Sequence, residues 1–170
     1  FEVKNINFSY IDNEKSALSR QLISQFEASN YFDIIAQFPS KKEADLAMQN
    51  GKVAVTLEIP NQFEQQLVKN KKGTLSVSIN AIDGAAAGVT NVYIMQIISG
   101  FNQDIQPKLQ LFQEGKPVSN SKITTIPSFW YNKTLNYKTF MVPGILVLLV
   151  TMLSLFLSSM NIVREKEVGT

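Results

Sequence analysis

The feature that most constrains this chain is a long apolar run near its C-terminal end. From Thr139 to Val163 no residue carries an ionisable side chain. As a helix, these residues would extend about 37 Å at roughly 1.5 Å per residue, which exceeds the roughly 30 Å hydrocarbon core of a bilayer. Buried helices of soluble proteins seldom stay apolar on every side over such a length. The run therefore predicts a transmembrane helix over residues 140–163.

Small and polar residues of this predicted helix fall on one side of it. At about 100° per residue, five of them lie within about 100° of one another, namely Gly144, Thr151, Ser154, Ser158 and Asn161. Small side chains let helix backbones approach closely inside a membrane, and hydroxyl and amide groups can bond across the contact. A helix alone in lipid has no use for such a stripe. We therefore predict that the stripe packs against other transmembrane helices.

Composition excludes several classes of chemistry. The chain contains no Cys and no His, and its net charge is +2. Thiol nucleophiles, disulfides, imidazole bases and the usual zinc ligand sets are therefore absent. The charges are spread along the sequence rather than clustered as in a nucleic-acid-binding protein. We expect no catalytic residues, no cofactor, no metal site and no nucleic-acid partner.

Residues 1–130 contain short runs in which apolar and polar residues alternate, a pattern typical of strands. In the clearest, KVAVTLEI at 52–59, every second residue is apolar and shares one face. The runs with strand character are 6–10, 31–38, 52–59 and 74–80. Helical patterns separate them, and strict alternation of strand and helix predicts an α/β domain with a mixed or mostly parallel sheet.

Helix boundaries in this domain are marked by residues that cap or break helices. Ser40 and Asn61 each precede a glutamate by three residues, which is the capping-box spacing. Gly73 is predicted to end the helix that Asn61 begins. The longest helix is predicted over about 85–104, until Pro107 interrupts it.

Two stretches could carry chemistry in this domain. DGAAAG at 83–88 follows a strand and opens a helix, where free N–H groups can hold an anion. It lacks the Lys and Ser/Thr of a phosphate loop, which favours close packing of helix on sheet instead. SALSR at 16–20 offers serines after Lys15, but a Ser-Lys pair needs both groups in one cleft.

Charged residues of alternating sign follow the apolar run, namely Arg164, Glu165, Lys166 and Glu167. A plain membrane anchor needs only positive charges after its span. Alternating signs are typical of a short interfacial helix that contacts another protein. We therefore predict a protein contact over residues 164–170.

Four segments of this chain resemble the permease subunits of type 2 ABC exporters, in the branch with a large extracytoplasmic domain between the first two transmembrane helices. The segments are 19–34, 43–67, 129–146 and 164–170, of which the last two are the more specific. Together they cover nearly the whole chain. Because the chain begins at Phe1 rather than Met, we also expect it to be part of a longer polypeptide.

The resemblance implies a multi-pass protein of the bacterial cytoplasmic membrane. It implies an extracytoplasmic α/β domain over 1–130, an interfacial linker over 131–139, a transmembrane helix over 140–163 and the start of a cytoplasmic coupling segment over 164–170. The coupling residues would be Arg164, Glu165, Lys166, Glu167, Gly169 and Thr170. The implied partners are a separate ABC ATPase subunit, a second permease subunit that is identical or homologous, a periplasmic adaptor protein where the cell has two membranes, and membrane lipid.

Two other functions are compatible with the residues alone. The first is an extracytoplasmic sensor or ligand-binding domain on a single membrane anchor. It predicts no further transmembrane segment after Thr170 and a ligand-sized cleft in the α/β domain. The exporter instead predicts several downstream spans and one upstream of Phe1. The second is a membrane-tethered hydrolase, which the missing His and Cys disfavour. The sequence does not identify an exported substrate.

Overall fold

The computed structural model describes residues 5–111 and 122–169, with the backbone alone described at 108–111, 137, 139 and 140. The chain divides into two units, Phe1–Leu135 and Asn136–Thr170. The first unit is built of strands and helices that alternate without exception among the described residues. Its elements are β1 (Ile6–Asp12), α1 (Ala17–Glu27), β2 (Phe32–Gln37), α2 (Lys41–Gln49), β3 (Val55–Ile59), α3 (Phe63–Asn70), β4 (Lys72–Asn80), α4 (Gly84–Leu111) and β5 (Lys122–Trp130).

The five strands form one mixed sheet in the order β2-β1-β3-β4-β5. Strand β1 runs parallel to β2 and β3, β4 runs antiparallel to β3, and β5 runs parallel to β4. The predicted α/β class with a mixed sheet is therefore confirmed. This topology places the start of β1 and the end of β5 at the same end of the sheet, which we call the connection end. The opposite end, where β4 and β5 begin, is the far end.

One face of the sheet carries the main core. Helices α1, α3 and α4 pack on it, and Phe8, Phe26 and Phe32 form an aromatic cluster with ring centroids 4.8 to 5.6 Å apart. Each such ring contributes roughly 1.5–3 kcal/mol of burial. Helix α2 lies over β1 and β3 on the other face, since its Lys41 pairs at 3.8 Å with Glu58. The domain thus has its own core.

Helices α2 and α3 are capped in different ways, α2 by a residue next to it in sequence and α3 by a residue far from it in sequence. Ser40 caps α2 as predicted, accepting a hydrogen bond from the Glu43 N–H at 3.4 Å. At α3 the prediction was wrong, because the residue at the cap position is Gln62, with φ of 63°, and its side chain makes no capping bond. The carboxylate of Glu14 accepts the N–H groups of Phe63 and Glu64 at 3.2 and 3.3 Å instead.

The predicted end of α3 at Gly73 was also wrong. The helix ends at Asn70, and Lys71 takes the left-handed conformation with φ of 56°. Gly73 lies in β4, where an added Cβ would come within 2.8 Å of the Phe63 ring. The glycine is therefore explained by close approach of α3 to the sheet rather than by helix termination.

Helix α4 also runs further than predicted, because it continues through Pro107 to Leu111. Proline removes one intrahelical hydrogen bond, here in the last turns of a 28-residue helix. The buried side chains of Ile98, Phe101 and Ile105 hold this part of the helix on the core. Tertiary packing therefore outweighs the local cost of the proline.

The second unit is a single helix, α5 (Tyr137–Val168). Asn136 caps its start, accepting the N–H of Lys138 at 3.1 Å, and Gly169 ends it with φ of 74°. Its 32 residues extend about 48 Å. The helix therefore includes part of the predicted linker and most of the predicted coupling segment. The limits of the membrane-spanning part within it stay a prediction.

Candidate functional site

Helix α5 is the first candidate for function, because its surface cannot remain in water. Among the described residues it is the one helix that is long and apolar enough to cross a membrane by length and composition, over Met141–Val168. None of that span is buried within the structure. A surface of this size and apolarity is expected to contact lipid or other helices.

Two of the three hydroxyl groups in the predicted stripe are satisfied within the helix. Thr151 donates to the carbonyl groups of Val147 and Leu148 at 3.0 and 2.9 Å, and Ser154 donates to that of Val150 at 2.8 Å. These groups can therefore face an apolar neighbour without leaving a donor unpaired. The packing role of the stripe stays a prediction.

The charged residues 164–167 are consecutive in sequence, but on α5 they lie on different sides of the helix. Gly144, Thr151, Ser158 and Glu165 are spaced by seven residues, so Glu165 continues the stripe. Glu167 lies about 200° further around the helix, on the opposite side. Arg164 lies about 60° from Glu167 and about 60° from Asn161, and thus between the stripe and the opposite side. The seven-residue spacing was the sequence signal that could have shown this division.

Helix α5, which carries the charged segment, ends at Val168 and is capped by Gly169. Arg164, Glu165, Lys166 and Glu167 all lie on α5, and Gly169 takes the left-handed conformation that ends it. Thr170 lies outside the described residues. The coupling roles of these residues stay predictions.

The segment 83–88, most of which forms the start of α4, does not offer an open anion site. Asp83 accepts the N–H groups of Ala85 and Ala86 at 2.9 and 3.1 Å, so its own carboxylate occupies the start of α4. Ala87 is buried against the core. Both observations agree with the interpretation that the small residues of this segment allow close packing of the helix on the sheet.

The serines at 16–20 do not form a nucleophilic site. Ser19 is buried, and its hydroxyl donates to the Asp12 carboxylate at 2.8 Å. Ser16 caps α1 by accepting the N–H of Ser19 at 3.1 Å. Lys15 is exposed. The serines are thus engaged structurally, and no Ser-Lys pair is assembled there.

A cleft of about 300 Å³ lies at the connection end of the sheet. Its polar lining includes Asn5, Asn7, Asn80 and Thr90, while Val53 and Ile79 are among its apolar residues. Among the residues that the structure describes, no charged side chain lines it. Within the described residues there is also no group of three or more His, Cys, Asp or Glu that could hold a metal ion.

The chain combines an α/β domain with a helix that is long and apolar enough to cross a membrane. A family model for the ABC-2 family transporter protein matches residues 1–170, and the chain therefore belongs to that family. The resemblance seen in the sequence is confirmed.

Curated relatives agree with this assignment. The chain is 24% identical over 169 residues to a probable multidrug ABC transporter permease, YbhR of Escherichia coli K12, covering 99% of this chain and 44% of the relative. It is 21% identical over 161 residues to the inner membrane transport permease YhhJ of the same strain, covering 94% and 40%. The chain thus spans less than half the length of these relatives, which are bacterial membrane permeases.

A solved structure shares the fold. The crystal structure of a domain of a putative ABC type-2 transporter from Thermotoga maritima MSB8 matches with a TM-score of 0.51 at 18% identity. The match covers 72% of this chain and 86% of that domain. At this identity the likeness supports the fold alone, and it confirms the α/β architecture.

Proposed function

We propose that this chain is the extracytoplasmic domain and second transmembrane helix of a permease subunit in an ATP-driven exporter of the bacterial cytoplasmic membrane. Residues 1–130 form the extracytoplasmic domain, 131–139 the linker, 140–163 the transmembrane helix and 164–170 the start of the coupling segment. The observation that carries the proposal is the family match over residues 1–170. That match favours a permease over an anchored sensor.

The sheet topology supports a domain inserted between two membrane helices. The chain enters β1 at Ile6 and leaves β5 at Trp130, and both points lie at the connection end. A domain inserted between neighbouring membrane segments needs its entry and exit on one side. The topology meets that need without a return crossing over the domain.

The continuity of α5 supports a mechanical coupling role. The helix runs from Tyr137 to Val168, so the charged end and the apolar span belong to one rigid element. Closure of a separate ATPase subunit would move the end beginning at Arg164 and thereby tilt the span against its neighbours. The stripe of small and polar residues would form the contact between the span and its neighbouring helices, which belong to this or a second permease subunit. Lipid surrounds the remaining surface, and a periplasmic adaptor is a further partner in cells with two membranes.

The placement across the membrane is tested by cysteine labelling. The segment contains no Cys, so single cysteines can be introduced at Thr124 and Glu167 without background from this region. Both positions are exposed. In spheroplasts, a membrane-impermeant maleimide should label the cysteine at 124, and the cysteine at 167 only after permeabilisation. The reverse pattern would overturn the proposed orientation.

The transport role is tested by purifying the full-length parent in mild detergent and identifying bound proteins by mass spectrometry. An ABC ATPase in about equal amount is the expected result. Recovery of a signalling kinase without an ATPase would instead support the anchored sensor.

A further inference from the structure

Four lysines meet at the far end of the sheet. Lys69 lies in the last turn of α3, Lys71 follows that helix, and Lys72 begins β4. Lys122 begins β5 and is the register partner of Lys72. Strand pairing therefore brings together cations that are about 50 residues apart in sequence. We call them the far-end lysines.

No described carboxylate neutralises these lysines. Lys69, Lys72 and Lys122 are exposed, and none of the four forms an ion pair with a described acidic residue. Adjacent strands lie roughly 4.8 Å apart, so Lys72 and Lys122 hold like charges side by side on one face, which is unfavourable. The segment 112–121 carries one Glu and one Lys, and so adds no net charge.

The lysines border a sheet face that the described helices leave open. Helices α3 and α4 pack on β4 and β5 from the other face, where Gly73 approaches Phe63 and Thr125 bonds the Met95 sulfur at 3.1 Å. The open face continues from the Lys72–Lys122 pair as the cross-strand pairs Thr74–Thr124 and Ser76–Ile126. Beyond them Ser78 is buried, while its partner Ser128 is exposed.

Among these pairs, Ile126 is the exposed large apolar side chain. Ile126 is 60% exposed and lies four residues along β5 from Lys122, which corresponds to about 13 Å. The face therefore presents cations at one end, hydroxyl groups along its length and one apolar contact. Apolar contacts surrounded by polar groups are typical of protein interfaces.

We propose that the open face of β4 and β5 is a docking surface for an acidic helical segment of a partner protein. Its carboxylates would meet the far-end lysines, and an apolar side chain about two and a half turns away would cover Ile126. A glycan or phosphate polymer would use the cations but not Ile126. This surface is separate from the proposed coupling segment.

The test uses the full-length parent in nanodiscs of zwitterionic lipid and a designed helical peptide as the probe. The peptide carries glutamates at one end and a leucine two to three turns away, and binding is measured by fluorescence anisotropy at low salt. The double substitution Lys72→Glu, Lys122→Glu should weaken binding about tenfold or more. Ile126→Ser should weaken it further.

The matched control is Lys42→Glu with Lys52→Glu, which changes the net charge equally at two other exposed lysines. Unchanged affinity in this control supports a local surface, whereas an equal loss in both double variants overturns it. Absence of peptide binding to the wild type also overturns the proposal. Inorganic polyphosphate is tested in the same way. If it binds as tightly as the peptide, and Ile126→Ser does not change its affinity, the choice of a protein partner is overturned. Lys72→Gln with Lys122→Gln replaces the charge reversals if those variants fail to fold.

Discussion

The side-chain amide of Asn102 bonds both backbone groups of Ile123. The Ile123 N–H donates to Oδ1 at 2.8 Å, and Nδ2 donates to the Ile123 carbonyl at 3.1 Å. The N–H of Lys122 donates to the carbonyl of Lys71, next to β4. Successive residues of a strand direct their backbone groups to opposite sides, so those of Ile123 point to the outer edge of β5. The backbone of Pro127, four residues further along β5, also faces the outer edge. Its missing N–H therefore removes no hydrogen bond between strands. Side chains thus protect part of an edge strand that is otherwise able to pair with another chain.

Substitution of Asn102 should destabilise the domain and expose this edge. Asn102→Leu leaves two backbone groups of Ile123 without their partners, which costs roughly 1–3 kcal/mol. We expect a lower free energy of unfolding and more self-association of the domain spanning residues 1–135. Denaturant titration and analytical ultracentrifugation measure the two effects. The control is Gln103→Leu at the next, exposed position of α4, and an equal effect there would contradict the assigned role.

Two glycine substitutions should change stability in opposite directions. Gly73→Ala forces a Cβ to within 2.8 Å of the Phe63 ring, so we expect a loss of roughly 1–3 kcal/mol. Gly100→Ala, inside α4 with no atom within 4 Å of the new Cβ, should gain up to about 1 kcal/mol. Thermal and denaturant unfolding of the domain compare them directly. A stabilising Gly73→Ala would show that α3 does not pack this closely on β4.

A single charge reversal at the far end should raise stability. Lys72→Glu replaces a like-charge neighbour of Lys122 by an opposite charge, which is expected to add roughly 0.2–1 kcal/mol. The gain should shrink at high salt because both groups are exposed. Lys52→Glu, at an exposed position away from these residues, is the control. A salt-independent gain would point to a cause other than the charge pair.

The two acidic residues of the charged end should have different functions. Glu165 continues the stripe and Glu167 lies on the opposite side of α5. We expect Glu167→Lys to abolish the ATPase stimulation attributed to coupling, while Glu165→Lys mainly lowers the thermal stability of the assembled permease. ATPase assays and thermal aggregation in detergent separate these effects. Identical behaviour of the two variants would show that the opposite sides are not functionally distinct.

Several features were predictable because they are encoded over short distances. The apolar run after Lys138 determines a long helix whatever surrounds it, since its length and composition suffice. The alternation in KVAVTLEI gives β3, with Val55, Leu57 and Ile59 fully buried. The cap at Ser40 lies three residues from its partner and needs no tertiary context.

The tertiary structure decided what depends on residues distant in sequence. Glu14 caps α3 from 49 positions away, whereas the local sequence pattern indicated Asn61. Likewise, Lys72 and Lys122 become neighbours only because β4 and β5 pair in parallel. Short-range patterns fix the type of each element, since they set which face is apolar. Strand order and register decide which side chains meet, because these follow from the packing of the whole sheet.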